Sequence, residues 1–187
     1  MIDKIVKFDT QITIFLKNLF PHNLFFDTFF SFFSFVGSAS ILWLLIILIV
    51  LFFEEKAHPG ISKRDKKFII IFTLTIFFSF LISEIVLKNI FRRPRPISTD
   101  FNQFQLIPTN YLKDFSFPSG HATIAFASAT CLSFFDKKRR GLYYFFSTLI
   151  AYSRLYLSAH YFLDVVTGAI IGILISNLIN RFLIFDF

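Results

Sequence analysis

Between Phe35 and Phe53 the chain carries no charged side chain, over close to the ~20 residues that a bilayer core demands of a helix. Such a run has to satisfy its backbone polar groups internally, and helices do so within one segment. Further apolar runs follow at Phe68–Ile90, Ser119–Phe135, Gly141 to about Leu157 and Tyr161 to about Leu183. The composition agrees, with 55% hydrophobic and 20% aromatic residues among 187 and a mean hydropathy of +0.66. The expectation is an all-α integral membrane helix bundle of about five transmembrane helices.

Nothing divides the chain into two domains, since no Pro/Gly/Ser-rich linker or shift of composition interrupts it. Residues 1–187 read as one membrane-embedded domain, with 1–34 an amphipathic or half-inserted N-terminal region and 35–187 the bundle. In the first part Ile5, Phe8, Ile12, Phe15, Leu16 and Leu19 recur at helical spacing, with Lys4, Lys7, Asp9, Gln11 and Lys17 around the rest of the wheel. This is the pattern of a helix lying on the membrane surface. Asp3, Asp9 and the lack of a small-residue cleavage site argue against a signal peptide. Leu24–Phe35, carrying Asp27, is too short to span alone. Full insertion of the first thirty-odd residues would make six spans and move the amino terminus inside.

The basic residues set the orientation. Lys56, Lys63, Arg64, Lys66 and Lys67 crowd the connector Glu54–Lys67, and Lys137, Lys138, Arg139 and Arg140 fill the short connector after Phe135. Both are placed in the cytoplasm by the positive-inside rule. The segment Phe91–Phe117 then lies outside, opened by Pro94 and Pro96, which stop the helix before them. Its residues 97–117 read either as a lid over a site or as a plain connecting loop. A net charge of +7 distributed in short clusters offers no extended basic face, so no nucleic-acid partner is expected. The single Cys131 supports neither a disulfide framework nor a thiolate metal cluster.

This topology brings four helix ends to the outer face: Lys88 and Arg95, then Ser119-Gly120-His121, then Arg154, then His160 with Asp164. The face that should be poor in basic residues holds Lys88, Arg92, Arg93, Arg95 and Lys113. A phosphate accounts for them, with Lys88 as a point charge, Arg95 and Arg154 as forks, and backbone N–H groups at the start of the Ser119 helix as a cradle. Glu84 is read as a structural partner of Lys88 at i, i+4. His160 and Asp164, also at i, i+4, suggest a carboxylate that holds one ring nitrogen and leaves the other bare for attack, while His121 moves protons. Three cations converging there would repel a divalent metal ion, so neither a metal nor another cofactor is expected.

Lys88-x6-Arg95-Pro96, Pro118-Ser119-Gly120-His121 and Ser153-Arg154-x5-His160-x3-Asp164 together resemble the three-part signature of the type 2 phosphatidic acid phosphatase superfamily. That superfamily also contains bacterial acid phosphatases and vanadium haloperoxidases. The resemblance implies that His160 is the nucleophile oriented by Asp164, and that His121 is general acid and then base. It also implies that Lys88, Arg95, Ser119, Gly120 and Arg154 hold the phosphate. Arg92 and Arg93 fall outside the signature and are assigned to solvent or lipid headgroups. The expected activity is metal-independent hydrolysis of a lipid phosphate or pyrophosphate at the extracytoplasmic face of the cytoplasmic (inner) membrane. Undecaprenyl pyrophosphate is the favoured substrate, by analogy with small bacterial members. Phosphatidylglycerophosphate, phosphatidate and lipid A phosphate are the alternatives. A noncatalytic lipid-binding or lipid-translocating protein is the rival from another class, and the oligomeric state stays open.

Overall fold

The computed structural model describes residues 2–38, 43, 45, 46, 48, 63–96 and 114–185. Among the described residues the regular structure is entirely helical. Its helices are α1 (Ile2–Lys17), α2 (Leu24–Ser38), α3 (Lys63–Phe91), α4 (Gly120–Phe135), α5 (Arg140–Tyr156) and α6 (Phe162–Phe185). Of the span expected at Phe35–Phe53, residues 35–38 belong to α2, and Trp43, Leu45, Ile46 and Leu48 are helical; the rest lies outside the described residues. So does most of the connector Glu54–Lys67, and so do residues 97–113 of the segment read as a lid or loop.

Two of the expected spans stand on their own length and apolarity, Lys63–Phe91 with 29 residues and Phe162–Leu183 with 22. Both present large apolar side chains outward. On α6 Ile170, Leu174, Leu178 and Phe182 form an exposed stripe with a period of four, and on α3 Ile69, Ile70, Phe77, Ile85 and Ile90 are exposed. Water would penalise such faces, whereas acyl chains match them.

Helix α4 is built differently. Its 16 residues reach about 24 Å, less than the ~30 Å hydrocarbon core. α3, α5 and α6 all pack on it, and Ala122, Ala125, Ala127, Ala129 and Cys131 are almost wholly buried. Small side chains let the surrounding helices close in. Gly168 and Gly172 of α6 carry this furthest: a Cβ at Gly172 would lie 2.2 Å from the Thr123 carbonyl oxygen, and one at Gly168 would lie 2.5 Å from that of Ser119. The start of α4 is thereby pressed against the start of α6.

Helix α1 departs from expectation on its polar side. Ile5, Phe8, Ile14 and Phe15 are exposed, as an interfacial helix requires, but Asp9 and Thr13 are buried, at 0% and 5% exposure. α1 packs against α5 and α6, and the Tyr152 hydroxyl donates to the Leu16 carbonyl at 2.6 Å. The wheel pattern could not show this, because the buried polar pair is matched by groups 84 to 154 positions away.

Candidate active site

The outer end of α3 supplies the first cations. Residues Leu81–Leu87 form a π-helical stretch, a widening of the helix often found at functional sites. Arg92 then takes a left-handed conformation (φ 47°) and ends the helix, its N–H donating to the Lys88 carbonyl at 3.0 Å. The chain leaves extended through Arg93-Pro94-Arg95-Pro96 and is met by the returning Ser116, whose N–H donates to the Arg93 carbonyl at 2.8 Å and whose hydroxyl donates to that of Pro94 at 3.1 Å.

Lys88 is buried, and its Nζ bonds the Glu84 carboxylate at 2.6 Å, the i, i+4 pair read from the sequence. It also bonds Asp114 Oδ2 at 2.5 Å. The same carboxylate oxygen accepts from Arg95 Nη2 at 3.3 Å, so Asp114 bridges the two cations. Burial alone would push the Asp114 carboxyl up. The hydrogen bond and charge of Lys88, the Phe115 N–H and the Arg95 charge outweigh it and hold the group below its ordinary value.

His160 sits in the turn between α5 and α6. Ser158, at φ 53°, reverses the chain, and the Arg154 carbonyl accepts the N–H groups of Ala159 and His160 at 2.9 and 3.3 Å. His160 Nδ1 lies 2.7 Å from the Ser116 carbonyl oxygen. A carbonyl can only accept, so Nδ1 carries the proton and Nε2 carries the lone pair. That lone pair points to Arg95 Nη1 at 3.1 Å. Burial holds the imidazole well below its ordinary pKa, and the charges of Arg154, Arg95 and Lys88 act the same way against the Ser116 carbonyl.

One ring nitrogen is held, but not by the carboxylate expected to hold it. Asp164 Oδ2 stands 3.8 Å from His160 Nδ1, beyond a hydrogen bond. α6 begins only at Phe162, so His160 lies outside the helix and helical i, i+4 geometry does not apply to the pair.

At the start of α4 the Ser119 hydroxyl is buried and has no hydrogen-bond partner among the described residues, which suits a donor awaiting an anion. The Ser119 N–H, expected in the cradle, instead donates to the Asp164 carbonyl at 3.0 Å. Gly120 follows, and its missing side chain admits the Glu84 carboxylate. The charges of Arg154, Lys88 and Arg95 bear on His121 as well as on His160. Arg154 is buried, with one guanidinium nitrogen on the Ser34 hydroxyl of α2.

Arg93 overturns its assignment to solvent or headgroups. Its Nη1 bonds Asp164 Oδ1 at 2.7 Å and its Nη2 bonds Asp9 Oδ2 at 2.6 Å. Asp9, Ser34, Asp114 and Ser116 were likewise missed. For Asp9 the sequence showed only one more charge on the polar side of an amphipathic helix. For Ser34 and Ser116 the sequence held no signal.

Residues 65–185 match the family model described as PAP2 superfamily. The chain is 32% identical over 154 residues to the probable lipid phosphate phosphatase beta of Arabidopsis thaliana, covering 67% of this chain and 70% of that one. It is 29% identical over 160 residues to phosphatidylglycerophosphatase B of Bacillus subtilis, covering 79% and 70%. It is 31% identical over 119 residues to the undecaprenyl-diphosphatase of Sulfolobus acidocaldarius, covering 63% and 56%. The crystal structure of Aquifex aeolicus LpxE superposes with a TM-score of 0.66 at 29% identity, over 92% of this chain and 94% of that one. The family match takes in α4, α5 and α6 whole and α3 from its third residue onward, and on it the chain belongs to the PAP2 superfamily.

Proposed function

We propose that this membrane lipid phosphatase removes the terminal phosphate of a lipid phosphate or pyrophosphate through a phosphohistidine on His160, without a metal ion. Undecaprenyl pyrophosphate is the favoured substrate, and the reaction runs at the outer face of the cytoplasmic membrane. The observation that carries the reading is the His160 tautomer, a buried neutral ring with Nδ1–H on the Ser116 carbonyl and the Nε2 lone pair turned to the cations. Nε2 attacks phosphorus, and the bond to the leaving oxygen breaks as His121 gives that oxygen its proton. His121 then takes a proton from water, whose oxygen displaces His160 and releases inorganic phosphate. Lys88, Arg95, Arg154, the Ser119 hydroxyl and the Gly120 N–H neutralise the oxygens of the transferring group.

The outer placement is supported by the positive-inside rule, because Lys137–Arg140 and Arg154 are at opposite ends of α5. The substrate choice is supported by the relative named undecaprenyl-diphosphatase. Phosphatidylglycerophosphate is supported in the same way by another relative, and phosphatidate and lipid A phosphate complete the comparison. The test is phosphate release by detergent-purified protein from these four lipids in EDTA. Release that survives the chelator and is fastest on undecaprenyl pyrophosphate is the expected result. A different fastest lipid reassigns the substrate, and binding without release from any lipid restores the noncatalytic reading.

That the phosphate binds between Lys88 and Arg95 is supported by the Asp114 carboxylate, which already spans the two. Substrate phosphate displaces it. Asp114→Asn keeps an acceptor for the Phe115 N–H, which now bonds Oδ1 at 2.8 Å, and removes the competing charge. With the side chain 46% exposed, the expected gain is small: inorganic phosphate inhibits the variant at roughly 2- to 5-fold lower concentration. Weaker inhibition would instead make Asp114 an organiser of the two cations.

A further inference from the structure

We propose that the amino-terminal helix is a working part of the active site, with Asp9 and Arg93 as positioning residues that hold Asp164 and, through it, the His160 turn. The inference rests on His160 being the nucleophile and extends that reading to residues outside the family signature.

The geometry begins at the first turn of α6, whose backbone N–H groups have no acceptor within the helix. Tyr161 N–H donates to Asp164 Oδ2 at 2.9 Å. The next two donors are met from α1: Phe162 N–H by the Thr13 hydroxyl at 2.9 Å, and Leu163 N–H by Asp9 Oδ1 at 2.8 Å. The Thr13 hydroxyl in turn donates to the Asp9 carbonyl at 2.7 Å. One helix thus caps another across 149 and 154 positions of sequence. Where an ordinary N-cap needs one local side chain, this one takes two from a separate helix.

Arg93 joins the two carboxylates. It lies over the Tyr161 ring, 3.9 Å from the centroid, and bonds one oxygen of Asp164 and one of Asp9. The side chains of Asp9 and Asp164 are 1% and 0% exposed. Two buried carboxylates held by one guanidinium are costly unless their geometry is used. Both oxygens of Asp164 are taken, Oδ1 by Arg93 and Oδ2 by Tyr161, and neither by His160. The position of Asp164 beside the nucleophile is therefore set by Arg93, and that of Arg93 by Asp9. As His160 gains positive charge on forming the phosphoryl bond, the nearest carboxylate among the described residues is Asp164 at 3.8 Å, and its placement bears on the barrier.

Neither Asp9 nor Arg93 bonds Lys88, Arg95 or His160 among the described contacts, so their loss should act on turnover more than on binding. The test uses the full chain in detergent and compares Asp9→Asn, Arg93→Ala and His160→Ala with wild type. Readouts are kcat and KM on the preferred lipid, trapping of a labelled phosphoenzyme, the melting temperature, and rescue by added guanidinium. Asp9→Asn keeps an acceptor for Leu163 N–H and removes the charge. The expected result is a kcat lowered roughly 10- to 100-fold in Asp9→Asn and Arg93→Ala, with KM within about 2-fold. Millimolar guanidinium restores part of the activity of Arg93→Ala and none of that of His160→Ala. Wild-type turnover in both variants, beside an inactive His160→Ala, would overturn the inference and leave the nucleophile standing. Loss that guanidinium does not restore, together with a collapsed melting temperature, would also overturn it and make the pair a staple of the fold. An active His160→Ala would instead remove the reading beneath it.

Discussion

Alanine at position 160 stops lipid phosphate hydrolysis while the bundle still assembles: kcat falls by roughly 10⁴-fold or more, the scale on which loss of a covalent nucleophile acts. The His160 ring is wholly enclosed, so some loss of thermal stability accompanies the change, but the packing of α4 against α6 does not pass through it. Quenching in alkaline detergent during turnover, which preserves the acid-labile P–N bond, traps labelled phosphate on the wild-type protein and none on His160→Ala. The pH profile supplies an independent check. Burial and three cations hold the His160 imidazole below its ordinary value, so the ring takes up a proton only at a pH below about 6.5. The kcat/KM of the free enzyme therefore holds as pH falls through that value and declines only further down. A decline beginning above it would contradict the assigned charge state.

Gly172→Ala is the second large effect, and it falls on the fold. The new Cβ would meet the Thr123 carbonyl oxygen at 2.2 Å and the Ala127 nitrogen at 2.9 Å. These are backbone atoms of the central helix, which cannot swing aside as a side chain could. Overpacking of this kind costs roughly 1–3 kcal/mol and sometimes more, and Gly172→Val adds two further methyls in the same place. The melting temperature in detergent drops for Ala and drops further for Val. Activity falls with it, because the helices pushed apart carry Ser119, Gly120 and His121 on one side and Asp164 on the other. An unchanged melting temperature in Gly172→Ala would mean that α4 and α6 can separate at no cost.

How much of this was legible follows from the range of each interaction. The apolar runs fixed the class of fold, since length and charge-free composition are properties of a segment by itself. The three motifs fixed the convergence, because each lies at a helix end and topology brings the ends together. Local rules failed where an element began later than its pattern. Treating His160 and Asp164 as helical neighbours assumed that α6 began before Tyr161, and with the helix starting at Phe162 the imidazole turned to Ser116 instead. Nor could the sequence pair Asp9 with Arg93, or Ser34 with Arg154, 84 and 120 positions apart. A charge beside a proline and a serine in a phenylalanine-rich helix carry no mark of their partners.

Asp164 has one more role, arising from its backbone. Its side chain stands 3.8 Å from His160, while its own carbonyl takes the N–H of Ser119 at 3.0 Å. In the proposed mechanism, the carboxylate 3.8 Å from the attacking ring and the backbone partner of the serine that meets the phosphate are thus one residue. That one bond joins the start of α4 to the first turn of α6, so the two sides of the site are tied by backbone as well as by the packing at Gly168 and Gly172.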